Sequence, residues 1–383
     1  MLTIRGGTVV DVDGARSADV AVEDGEIVAV GEVPDGDRTV DASGGYVTPG
    51  LIDAHVHLMM DGDPNPEGKR DESVPRSSFS AVRNLEAALD AGVTTVRDLG
   101  SRAGIALSAR DAVAEGDLPG PRVHAAGKTI VMTGGHGHWF GREADGPHEV
   151  RTAAREQMKR GADVVKCMAT GGVLTEGADI GAPELTPTEL AAIVDAASAK
   201  GVPTASHAHG TEGIVNAAEA GITSVEHGTF MDREAAETMA AEGTFWVPTA
   251  SALHGIVENG VEAGIPEWAV EKAETTAEAF DEAFDHAKAA DVRIAMGTDA
   301  GTPFNHFEDL PTEMEYMVEH GLSAETALEA ATVNGAELLG LDDVGRVETG
   351  YRADLLVLED DPLSDPSAWT DPRHVVSDGV QHR

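Results

Sequence analysis

Cysteine is nearly absent from this chain. The single thiol, Cys167, rules out an internal disulfide and agrees with a reducing compartment. Aromatic residues make up only 4% of the 383 residues, too few to build a stacking platform for nucleic-acid bases. No run of 18 or more apolar residues occurs, so no membrane-spanning helix is expected. The start, Met1-Leu2-Thr3-Ile4-Arg5-Gly6-Gly7, lacks the charged, apolar, small-residue order of a signal peptide, and a cytoplasmic location is expected. Basic residues are scarce as well. Lys and Arg total 27 against 68 Asp and Glu, a net charge of −41. Such a field repels nucleic acid and anionic membranes, so neither is expected as a partner.

A hydrophobic fraction of 41% is ordinary for a folded protein, and the length suits one large unit plus a modest second one. Residues 1–50 read as short strands punctuated by Gly and Asp, such as Asp19-Val20-Ala21-Val22 and Glu26-Ile27-Val28-Ala29-Val30. The last forty residues return to that style, with Ala353–Leu358 and His374–Ser377 as strands. Two β-rich ends bracketing a different middle predict a small β-sandwich assembled from residues 1–50 and 341–383. Within residues 51–340 strand-like and helix-like runs alternate. The strands are Val47–Ala54, Thr94–Leu99, Arg122–Ala126, Asp163–Met168, Pro203–His207, Ser224–His227, Phe245–Thr249 and Arg293–Asp299. The helices include Phe79–Ala91, Glu149–Arg160, Pro187–Lys200, Arg233–Glu242 and Glu267–Ala290. Eight repeats of this alternation predict an α/β fold, a parallel (β/α)8 TIM barrel. A doubly wound sheet is the competing fold, but it would want a Gly-rich phosphate turn after its first strand. Here Thr48-Pro49-Gly50-Leu51-Ile52-Asp53 leads into a histidine pair instead.

The metal-ligand candidates fall at or near the C-terminal ends of predicted strands, where such a barrel builds its active site. In His55-Val56-His57 the two imidazoles, two residues apart on a strand, share one face and can reach one ion. Neutral imidazole suits Zn, Fe, Ni or Cu. Taken singly, His207 and His227 are ordinary hydrogen-bonded core histidines, and Asp299 is an ordinary helix cap. Lys166 is harder to dismiss. Asp163-Val164-Val165-Lys166-Cys167-Met168 puts an amine inside an apolar strand, where an ammonium must be paired, neutralised or led to the surface. A deprotonated amine can instead capture CO2 as a carbamate, a carboxylate on a long stem able to bridge two cations. Four imidazoles, this carbamate and one carboxylate suffice for two divalent ions, with Zn the first choice. His55, His57 and Asp299 would hold one ion, His207 and His227 the other, and carbamylated Lys166 would join them. Asp299 would act as general base and then acid, and hydroxide would form near neutral pH. The Gly-rich loop Met132–His138 brings His136 and His138 over the same face as a substrate clamp, and His209 lies where it can touch substrate.

These residues resemble the amidohydrolase superfamily across nearly the whole chain. The resemblance runs through Pro49–His57, Lys166, His207, His227, Gly297-Thr298-Asp299, Ala331–Gly340 and Gly345–Leu358. Within it, Thr133–His138, the strand lysine and His207-Ala208-His209-Gly210 are similar to the Xaa-Pro dipeptidase (prolidase) and aminoacyl-dipeptidase branch. Imidazolonepropionase is a neighbour, but the resemblance implies a single metal and no carbamate there, as it does for the deaminases. It implies a catalytic contact from His136 to the scissile carbonyl or bound dipeptide, with help from His209. Arg97 and Arg142 are the candidates for the substrate carboxylate. The implied function is cleavage of a dipeptide or N-acyl amino acid, small-molecule substrates, by a chain that assembles as a homo-oligomer. A cyclic-amide hydrolase and a metal-binding scaffold without catalysis are the competing readings.

The acidic residues are spread along the chain rather than gathered in a tail, which reads as a folded acidic surface adapted to a salt-rich cytosol. At 1 M salt the screening length shrinks to about 3 Å, so self-repulsion is tolerated. A thermal melt should therefore show a marked loss of stability at tens of millimolar salt; full stability there would remove the halophilic reading.

Overall fold

The computed structural model describes all 383 residues, and its architecture is mixed α/β. The ends of the chain form two sheets. A four-stranded sheet has the order Glu26–Gly31, Asp19–Glu23, Leu2–Arg5, Arg38–Asp41. A six-stranded sheet has the order Val380–Gln381, His374–Ser377, Leu355–Leu358, Tyr46–Pro49, Thr8–Asp11, Gly14–Ser17. The pairing of Leu355–Leu358 with Tyr46–Pro49 joins the two ends of the chain antiparallel. Alternate residues of both sheets, among them Ile4, Val20, Val40, Val47 and Val357, pack into one apolar cluster.

The middle of the chain carries parallel strands only. Leu51–Val56, Val93–Asp98 and Arg122–Ala125 form one ladder. Arg142–Glu143, Ile130–Val131, Val165–Met168, Thr204–Ala208, Ser224–His227 and Phe245–Val247 form a second. Helices follow the strands, including Val74–Asp90, Gly146–Lys159, Pro187–Ser198, Arg233–Glu242 and Glu267–Ala290. Strands covered on both faces read as unbroken burial rather than alternation, as in Leu51–Val56 and Val165–Met168. No helix is long and apolar enough to cross a membrane.

Two expectations need correction. The strand expected over Val47–Ala54 is divided at Gly50: Tyr46–Pro49 belongs to a terminal sheet and Leu51–Val56 to the parallel one. A Cβ at Gly50 would lie 2.3 Å from Thr94 Oγ1, so the chain passes from one sheet to the other at a point with no room for a side chain. The last expected strand, Arg293–Asp299, is not regular. It touches its neighbours through isolated parallel bridges, Trp246 with Ile294 and Val56 with Ala300. Asp299 itself has φ 59°, outside strand geometry. The backbone turns at the residue whose side chain faces the cleft.

Gly297 lies within this segment, packed under His55. A Cβ there would sit 2.4 Å from Val247 Cγ1 and 2.9 Å from His55 Cβ. Gly297→Ala should therefore cost roughly 1–3 kcal/mol by overpacking and displace His55, measurable as a lowered denaturation midpoint together with weakened metal binding. An unchanged midpoint would show that the segment yields freely.

Candidate active site

The C-terminal ends of the parallel strands converge on a cleft. Its floor holds His55, His57, His136, His207, His209, His227, Lys166 and Asp299. Two groups of potential ligand atoms stand out, His55 with His57 and Asp299, and His207 with His209 and His227. Within each group the atoms lie within 4.8 Å of one another. The groups adjoin, with ring centroids of His55 and His227 5.2 Å apart. The chain thus brings together six residues scattered from position 55 to position 299. His209, expected only as a substrate contact, lies as close to the second group as its members, 4.6 Å from His207 and 4.9 Å from His227 between centroids.

Each ring is held from outside by one nitrogen, which fixes what the other can do. His55 Nδ1 donates to the Glu226 carboxylate at 3.0 Å, and His57 Nδ1 donates to Gly100 O at 3.0 Å. His207 Nε2 donates to Gly171 O at 3.1 Å. Thr249 Oγ1 gives its proton to Pro248 O and so accepts from His227 Nδ1 at 2.7 Å. In the neutral form of these four rings the inward nitrogens carry lone pairs. Burial, reinforced by neighbouring imidazoles, drives the pKa of His207 and His227 well below the ordinary histidine value. Burial likewise takes His136 and His209 to about 3. Neutral rings are the form that binds cations.

At the first group this arrangement creates an electrostatic problem. His55 Nε2 and His57 Nε2 each lie 3.2 Å from the same atom, Asp299 Oδ1. Lone pairs aimed at a carboxylate oxygen repel unless a proton or a cation sits between them. With a proton on the inward nitrogens the pull is reversed: burial raises the Asp299 pKa, but hydrogen bonds and charge from His55 and His57 overcome this and hold the carboxylate far below its usual range, while Asp299 in turn raises the His57 pKa against burial. Lys166 poses the complementary problem. Its Nζ is buried and has no hydrogen-bond partner, and burial lowers its pKa to about 8. Residues in the sparsely populated left-handed region cluster here too: His227 at φ 68°, Thr249 at 58° and Asp299 at 59°. Such strain persists only where surrounding structure fixes it, and it is typical of functional sites.

Three expected substrate contacts do not reach the cleft. Arg97 is buried behind His55. Its Nε donates to Ala54 O at 2.6 Å, and its other nitrogens bond Ser224 Oγ and pair with Glu226 Oε1 at 3.2 Å. With its donors committed, it is a support and not a carboxylate receptor. Arg142 pairs with Glu156 at 3.0 Å, away from the lining residues. His138 turns its Nδ1 back to Gly135 O at 3.1 Å and also lies outside the lining. His136 does line the cleft, its Nδ1 2.9 Å from Thr175 Oγ1.

Glu226 is the residue that sequence reasoning overlooked. It is fully buried and meets both Arg97 and His55. Burial would raise its pKa, but Arg97, Lys166 and His55 bring it down to about 2. The pattern that makes Lys166 conspicuous, a charge inside an apolar strand, also marks Glu226 in Ser224-Val225-Glu226-His227, and the i, i+2 spacing puts Ser224 on its face.

Comparison with known proteins agrees with this geometry. A model of the amidohydrolase family matches residues 46–381. The ochratoxinase of Aspergillus niger is 32% identical over 360 residues, covering 85% of this chain and 73% of the relative. The crystal structure of a Xaa-Pro dipeptidase with bound methionine in the active site is 34% identical, with a TM-score of 0.93 over 100% of this chain and 99% of that one. A prolidase complexed with N-methylphosphonate-L-proline is 29% identical, with a TM-score of 0.94 over 100% and 99%. The chain belongs to the amidohydrolase family and is a hydrolase acting on amide bonds.

Glu226→Gln tests the outer layer. Breaking a buried pair costs about 3–5 kcal/mol, and loss of a ligand's orienting partner typically costs 10–100-fold in metal affinity. Denaturation and equilibrium dialysis should show both losses. Unchanged metal affinity would demote Glu226 to packing.

Proposed function

We propose that this chain is a binuclear amidohydrolase that cleaves the amide bond of a dipeptide, Xaa-Pro or related, or of an N-acyl amino acid. The parallel strands are read here as a (β/α)8 barrel spanning residues 51–340. The terminal sheets are read as a β-sandwich from residues 1–50 and 341–383.

The observation that carries the proposal is the pairing of two unsatisfied features on one floor. Imidazole lone pairs converge on Asp299 Oδ1, and an amine is buried beside them without a partner. Cations relieve the first. Conversion of the amine relieves the second: the Lys166 lone pair adds to CO2 and one proton leaves, giving an N-carboxylate. His55, His57 and Asp299 would then hold one divalent ion and His207 and His227 the other, with the carboxylated Lys166 between them and His209 within reach of the second. When bound, such ions polarise a carbonyl and lower the pKa of water toward about 7.

The chain's own groups supply the rest. Asp299, fixed by its left-handed backbone, faces the cleft where it can take a proton from the attacking water and pass it to the leaving nitrogen. Neutral His136, which lines the same cleft, would contact the substrate carbonyl oxygen. Apolar walls exclude bulk water, which strengthens every electrostatic contact inside.

Elemental analysis of protein purified with added divalent metal should give close to two ions per chain, and one ion would overturn the bridged arrangement. Lys166→Ala should abolish turnover, with partial recovery on adding short carboxylic acids. Full activity without them would dismiss the carbamate. Asp299→Asn should reduce turnover by several orders of magnitude while the fold is kept.

A further inference from the structure

One wall of the cleft is a helix that begins without a cap of its own. The helix Ala250–Asn259 contributes Ala252, Leu253 and Ile256 to the lining. A threonine in the position of Thr249, just before the first turn, ordinarily accepts a hydrogen bond from one of that turn's amides. Thr249 makes no such bond. Its backbone is left-handed, at φ 58°. Its hydroxyl donates to Pro248 O at 2.6 Å and accepts from His227 Nδ1 at 2.7 Å. The group that would cap the helix is committed to a histidine of the site, and the first amides of the helix need another acceptor.

Glu313 supplies that acceptor from a distant part of the chain. It lies in the first turn of the helix Thr312–Glu319 and is 0% exposed. Its Oε1 accepts from Ala250 N at 2.8 Å. Its Oε2 accepts from Ser251 N at 2.8 Å and from Ser251 Oγ at 2.6 Å. Burial pushes its pKa up to about 8 despite these three donors. The other buried residues of its helix are Met314 and Met317. Placing a carboxylate among them is unfavourable unless its hydrogen bonds are needed. They are needed here because Thr249 is engaged with His227.

Resting on the reading of His227 as a ligand of the second ion, we infer that Glu313 is a positioning residue for that half of the site. By capping the helix in place of Thr249, it keeps the Thr249 hydroxyl under His227 Nδ1 and so keeps the Nε2 lone pair of that ring turned inward. The other rings have different holders. His207 is oriented by Gly171 O, His55 by Glu226 and His57 by Gly100 O. Loss of Glu313 therefore falls on the second ion and spares the first.

Two substitutions and their combination test this. Glu313→Gln keeps the volume but turns an amide NH2 toward backbone N–H groups. Thr249→Val removes the acceptor of His227 directly. Equilibrium dialysis of metal-free protein against Zn2+ alone reads the two affinities. Glu313→Gln should weaken the second ion about 10–100-fold, the loss typical for a ligand's orienting partner, and change the first less than about twofold. Acting through Thr249, it should add less than about twofold when made on top of Thr249→Val. In 15N spectra of the metal-free protein, both variants should lose the fixed Nδ1–H tautomer of His227 while His55 keeps its own. Ser251→Ala, which removes a single donor to Glu313, should weaken the second ion alone by about threefold and serves if Glu313→Gln does not fold. Equal weakening of both ions, additive losses in the double variant, or an unchanged His227 signal would each overturn the inference and leave the binuclear reading standing. A wild-type protein that takes up only one Zn2+ would sink that reading and this inference with it.

Discussion

An amine buried without a partner sets the terms for everything around it. Lys166 is 1% exposed and its Nζ bonds to nothing. A buried unpaired ammonium costs several kcal/mol, so the strand Val165–Met168 is tolerable only if the charge is dispersed, removed or chemically converted. The structure does part of this at a distance. Glu226 and Asp299 are close enough to favour the charged form, yet burial prevails and lowers the pKa to about 8. Such an amine has a far larger unprotonated fraction near neutrality than an ordinary lysine, and that fraction is the nucleophile carbamate formation requires.

The imidazoles depend on the same economy of charge. Six rings gathered in one cleft could not all be protonated, and burial with mutual repulsion keeps His136, His207, His209 and His227 neutral. Neutral rings have two distinct nitrogens, and orientation is decided by whichever acceptor holds the outer one. The acceptors are of three kinds: a carboxylate for His55, backbone carbonyls for His57 and His207, and a threonine hydroxyl for His227. The carbonyls belong to the segments after the strands Val93–Asp98 and Val165–Met168, so ring orientation is tied to the ladder itself. Arg97 extends this inward. It connects Ala54 O, the strand carrying His55, to Ser224 and Glu226, the strand carrying His227. One guanidinium thereby fixes the spacing between the two ligand groups.

How much of this could be read from the sequence follows from how local each cue is. His55-Val56-His57 announces itself because two residues on one strand share a face, and Lys166 because a charge interrupts an apolar run. The terminal β segments and the alternating middle were legible from periodicity and composition. The last strand was not. Arg293–Asp299 has the composition of a strand, but positive φ at Asp299 is a tertiary demand that propensity cannot express. Arg97 was misassigned for a related reason. An arginine at a strand end and an arginine locked into a buried pair look alike until the partner, Glu226, more than a hundred residues away, is placed beside it. Arg142 and His138 sit in the right loop but turn outward, a choice of rotamer and turn that spacing alone does not encode.

The acidic exterior and the buried charges of the site differ in how far they act. A net charge of −41 sets a surface field that repels anions. At low ionic strength that field extends about 30 Å; at 1 M it collapses to about 3 Å. The pairs behind the cleft, Arg97 with Glu226 and Glu226 with His55, are buried and are screened far less. Salt therefore weakens the surface repulsion without weakening the contacts that orient the ligand rings. The same screening that would let so acidic a surface remain folded leaves the electrostatics of the site in place.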